Sequence, residues 1–144
     1  MEWNLTPLPR TEETIRALEA CGRMTERFGL TLSHQQMAAL AAGRGEALRD
    51  TGRVEFGEGI LPRLIHRFCD SPHLDSETWA ETLGELQSLF YCFKNEFSLS
   101  DDSLLDAMRA VFDGPAHGSL ELLADRLPGY LTGGTPETEG GEDD

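Results

Sequence analysis

Between Trp79 and Phe97 the apolar side chains recur at alternating steps of four and three: Trp79, Leu83, Leu86, Phe90, Phe93 and Phe97. That spacing places them on one face of an α-helix. Leu89 widens the stripe, and Glu77, Glu81, Glu85 and Lys94 fall on the opposite side. A helix that offers four aromatic rings and three leucines must be covered by other elements, at roughly 1.5–3 kcal/mol for each large side chain fully buried. The rest of the chain is therefore expected to pack around this segment. The heptad-like spacing lasts under three heptads and is aromatic, which suits a globular core better than a coiled-coil seam.

The flanking sequence supplies the partners. Residues 1–10, with Pro7 and Pro9, read as an extended lead-in. Thr11 opens a first helix toward Phe28, with Ile15, Leu18, Cys21, Met24 or Thr25, and Phe28 inward, and Gly29 ends it. Gly22, at its middle, is unfavourable by about 1 kcal/mol relative to alanine and points to a bend or a close helix crossing. Ser33 with Gln36 forms a capping box for a second helix through Met37, Leu40, Ala41, Ala47 and Leu48, whose five alanines favour close packing. Gly52 stops it. The crossover at 52–59 leads into a third helix with Leu61, Leu64, Ile65 and Phe68 on one face and Pro62 in its first turn. Asp75 or Ser76 caps the fourth helix, Ser100 the fifth and Ser119 the sixth, which Pro128-Gly129 should close. The expected fold is all-α: a single-domain bundle or orthogonal array of about six helices over residues 11–132, with one irregular glycine-containing crossover. Residues 133–144 carry five acids and no base and read as a disordered acidic tail.

Charge narrows the partners. Residues 1–67 hold nine basic and nine acidic side chains, whereas residues 68–144 hold three basic against seventeen acidic, so the second half carries the whole net charge of −14. Such a surface repels phosphate backbones and anionic lipid, which argues against nucleic-acid and membrane partners. Three cysteines at wide spacing, Cys21, Cys69 and Cys92, each within an apolar helical pattern, read as reduced core thiols. A cytoplasmic protein is expected, monomeric or homodimeric, with no cofactor implied.

The strings Thr51–Ile60 (TGRVEFGEGI), Phe68–Pro72 (FCDSP), Glu81–Leu86 (ETLGEL), Phe90–Glu96 (FYCFKNE), Phe112–Gly114 and Gly118–Glu121 resemble a family of small bacterial proteins, mostly from Firmicutes, catalogued only as a domain of unknown function. The resemblance spans most of residues 25–125. It implies a cytoplasmic helical protein and brings no activity, ligand or catalytic residue with it. Where the family pattern has an aromatic after the FCDSP string, this chain has His73.

Among chemistry-bearing groups, His66, Cys69, Asp70 and His73 fall on one helical face and have ligand types suited to zinc. Pro72 interrupts the helix before His73, and Cys69 also reads as a core thiol. The spacing from Asp70 to Glu81 fails as a calcium loop because Pro72, Leu74 and Asp75 stand where oxygen ligands and a glycine are needed. Phe56–Pro62 fails as a phosphate loop, with Pro62 replacing a glycine and Glu58 repelling the anion. His66 and His117 lack a nucleophile motif beside them, so no enzyme is indicated. Arg53, Glu55 and Phe56, on the non-helical crossover, form a candidate interaction surface, or else an internal salt bridge tying the crossover to the third helix. The expectation for function is a non-catalytic module that binds a cytosolic protein, with a metal or small-ligand site near His66, Cys69 and His73 as the alternative.

Overall fold

Trp79, Leu83, Leu86 and Phe90 are each at most 1% exposed, so the stripe does form the interior. The computed structural model describes residues 7–53, 55 and 59–133. Among these described residues six α-helices follow in order: α1 (Pro7–Thr25), α2 (His34–Thr51), α3 (Leu61–Phe68), α4 (Trp79–Glu96), α5 (Asp101–Asp113) and α6 (Leu120–Gly133). Short 3-10 turns occupy Glu26–Phe28 and Ser76–Thr78, and no strand occurs among the described residues. α4 packs against α2, α3, α5 and α6, while α1 lies across α2 and α3. The helix with the richest apolar face thus takes the centre of the array.

The caps work as side-chain chemistry predicts. Ser33 Oγ accepts from the Gln36 N–H at 3.1 Å while Gln36 Oε1 accepts from the Ser33 N–H at 2.8 Å. Ser100 and Ser119 each satisfy a first-turn donor of α5 and α6, and Asp75 Oδ1 accepts from the Glu77 N–H. Gly52, in the left-handed region at φ 68°, ends α2.

Several expectations are corrected. α1 starts at Pro7 rather than after residue 10, because first-turn positions need no amide donor and prolines are tolerated there. Phe28 faces outward at 40% exposed, with the Arg27 guanidinium 5.1 Å from its ring centroid; the 3-10 turn breaks the helical register that would have carried it inward. Cys92 is exposed while Cys21 and Cys69 are buried. α6 runs through Pro128 to Gly133, since Leu131 prolongs the spacing of Leu123 and Leu127 and packs on the core. Tertiary packing there outweighs the lost backbone donor.

α4 is also buried over a wider arc than its stripe. Gln87 and Tyr91, one turn apart, are 1% and 0% exposed and face α2, where Gln87 Nε2 donates to the Leu40 carbonyl at 3.2 Å. Gly43 and Gly84 lie at this contact: a Cβ at Gly43 would be 3.4 Å from Gln87 Nε2 and one at Gly84 3.7 Å from Leu40 Cδ2, both ordinary van der Waals distances, so the approach of the two helices does not require glycine at either position. The lead-in over 1–6, the tail over 134–144 and Phe56 lie outside the described residues.

Replacing the central ring should be severe. Phe90→Ala is expected to destabilise the fold by about 3–5 kcal/mol in urea unfolding, and a loss below about 1 kcal/mol would contradict this packing.

Candidate functional site

The inward register of α2 runs Met37, Leu40, Ala41, Arg44, Leu48, so an arginine stands where an apolar residue is usual. Arg44 is 2% exposed. A guanidinium taken out of water needs a counter-charge and acceptors close at hand, and the surrounding elements provide them. Glu55 of the crossover places Oε1 3.2 Å from Arg44 Nε and 3.1 Å from Nη2. Thr14 of α1 accepts from Arg44 Nη1 at 3.1 Å. Tyr91 of α4 donates its hydroxyl to the same Glu55 oxygen at 2.5 Å. One charged cluster therefore joins α1, α2, α4 and the crossover. Gly59 completes it: its φ is +87°, and a Cβ there would sit 2.5 Å from Arg44 Nε, so only glycine lets the crossover close over the guanidinium. Burial, and then the Glu55 carboxylate, push the Tyr91 phenol far above its ordinary range, so it serves only as a donor.

Beside this cluster, Gly43, Ala47, Ser88, Tyr91, Cys92 and Asn95 line a groove of about 340 Å3 between α2 and α4, edged by Glu46 and Asp50. Its floor is fixed by the cluster through Tyr91.

A second set of charges joins α3 to α5. Arg67 Nε donates to Asp106 at 2.8 Å, and Arg63 pairs with Asp101 at 3.3 Å and also with Asp102. Arg109 reaches Asp70 at 2.8 Å, Asp113 at 2.5 Å and the Arg67 carbonyl in the last turn of α3. Ser71 donates to Asp113 at 2.7 Å. These pairs lie in or near solvent, where each contributes at most about 1 kcal/mol, and their main effect is to set the angle between α3 and α5.

The sequence candidates are placed differently from expectation. Glu55 pairs with Arg44 of α2, not with Arg53 or the third helix, because the left-handed Gly59 brings the crossover back onto α2. Arg53 is half-buried, and its Nε has no hydrogen-bond partner among the described residues. His66, Cys69, Asp70 and His73 do not converge. His66 faces solvent. Burial, with the neighbouring Asp70, pushes the buried Cys69 thiol up and keeps it protonated, and Asp70 is held low by the Arg109 hydrogen bond. His73 packs its ring edge-on to Phe112 at 6.1 Å between centroids, over Gly118, where a Cβ would meet the imidazole stem at 2.5 Å. Among the described residues no three His, Cys, Asp or Glu side chains are placed to hold a metal ion. The residues missed were Thr14, Arg44, Gln87 and Tyr91; the legible signal for Arg44 was its position four residues after Leu40 and four before Leu48.

The fold and this cluster define a six-helix, all-α domain whose interior charges bind one another across helices. The chain belongs to DUF6323, a family of unknown function, whose model matches residues 17–132, as the resemblance read from its strings anticipated. No curated protein and no solved structure gives a significant match.

Unfolded Tyr91 ionises near pH 10, whereas the fold keeps it protonated well above that value. Its contribution is therefore complete below about pH 10 and is lost as pH rises further. Between about pH 9 and 11.5, the unfolding free energy of the wild type should fall more steeply than that of Tyr91→Phe; parallel curves would show that the phenol is not held as described.

Proposed function

We propose that the chain is a non-catalytic interaction module that offers the α2–α4 groove to a basic segment of another cytosolic protein. The observation that carries this reading is the groove itself: small residues and a polar wall, two carboxylates, Glu46 and Asp50, at its edge, and a floor held rigid by the Arg44 cluster. A partner lysine or arginine entering there would meet complementary charge without having to order the surface first, which lowers the entropy lost on binding. The acidic second half of the chain would steer such a partner toward the domain.

The absence of catalysis is part of the same reading. Tyr91, Glu55 and Arg44 are engaged with one another, so the cluster offers neither an activated nucleophile nor a general base facing a cleft. Among the described residues no helix is long and apolar enough to cross a membrane, which accords with a partner met in solution.

Charge reversal tests it. Proteins recovered from native lysate on the immobilised wild type should be lost on the Glu46→Lys/Asp50→Lys double variant, which is expected to stay folded because both residues are exposed. Identical recovery on both surfaces would remove the groove as the binding site.

A further inference from the structure

Gly22 poses a physical question that the helix packing does not answer. It lies within α1, where glycine is unfavourable relative to alanine by about 1 kcal/mol. Its backbone φ is not positive, and a Cβ built on it would meet nothing within 4 Å. Neither a close helix crossing nor a left-handed turn requires glycine here, contrary to the expectation from sequence. What lies beside it is empty space.

That space is a cavity of about 220 Å3 bounded by α1, α2, α3 and the start of α4. Its deep wall is Leu18, Cys21, Met37, Ile65 and Trp79, each at most 8% exposed. Thr25 also lines it, but its hydroxyl is turned to the Gly22 carbonyl at 3.3 Å. At the mouth stand Glu19 and Glu26 against a single guanidinium, Arg23.

We infer that this cavity is a binding site for a small aromatic molecule without an anionic group, and that Gly22 keeps its entrance open. An apolar cavity of roughly 150 Å3 accommodates benzene, so the volume here takes one ring with a short substituent. The Met37 thioether and the Trp79 ring suit an aromatic occupant. Two carboxylates against one guanidinium at the mouth favour a neutral or cationic tip over a carboxylate. This site is separate from the α2–α4 groove and does not depend on it.

The test uses para-fluorobenzylamine and para-fluorobenzoate, the same ring with tips of opposite charge, each titrated with the full-length protein and followed by fluorine NMR. The amine is expected to bind saturably with a dissociation constant on the order of 0.1–1 mM, to shift the Trp79 indole N–H resonance, and to bind at least about fivefold more tightly than the benzoate at low salt. Gly22→Leu fills the mouth and restores helix propensity, so it should melt no lower than the wild type and lose the amine. The inference is overturned by non-saturable binding, by an unmoved Trp79 resonance, by benzoate binding as tightly as the amine, or by undiminished binding to Gly22→Leu. A Gly22→Leu protein that melts below the wild type would show that the space is not open, and overturns it equally.

Discussion

A guanidinium sits almost dry among four chain segments, and the geometry of this domain follows from the need to satisfy it. Arg44 reaches Thr14 on α1 and Glu55 on the crossover, and Glu55 in turn takes the Tyr91 hydroxyl from α4. Removing a charge from water carries a penalty of several kcal/mol that is recovered only with good geometry. Net stabilisation by such a cluster is accordingly small, but misplacing any one of its members would strand a charge. Apolar packing tolerates many arrangements of similar energy, and this cluster selects among them. It sets the rotation of α2 about its axis, the register of α4 against it, and the path of the crossover.

The α3–α5 side is held by weaker means. Its arginines and aspartates are partly exposed, so they orient rather than stabilise. His73, a candidate metal ligand only in the alternative reading of the sequence, there packs against Phe112 and over Gly118. The strings that resemble the family include Glu55, Gly59, Tyr91, Ser71, Asp113 and Gly118, which are points where one element locks to another. Their specificity is structural, which is why they suggested a family without suggesting a reaction.

What was legible in the sequence follows from the range of the forces concerned. Helix periodicity and caps are local: the Trp79–Phe97 stripe, the Ser33 capping box and the stop at Gly52 all depend on residues within a turn of one another, and all are present. Contacts distant in sequence were not legible. Glu55 and Tyr91 are separated by 36 residues, and nothing local to either marks the other. α6 passing Pro128 and Phe28 turning outward are likewise decided by which surfaces happen to face each other. The empty space beside Gly22 could not be read at all, because a cavity is a property of several helices together. Glu55 was singled out, as part of a candidate interaction surface or of an internal salt bridge to the third helix, whereas its partner is the arginine in the alanine-rich helix.

The measurement that bears most directly on the organising role of Arg44 is a double-mutant cycle with Arg44→Met and Glu55→Gln, read by chemical unfolding. If the two side chains are coupled in the interior as described, the double variant should be more stable than the sum of the single effects implies, by about 2–3 kcal/mol. Additive losses, within about 0.5 kcal/mol, would mean that Arg44 and Glu55 act independently and that the crossover is held by something other than this buried charge.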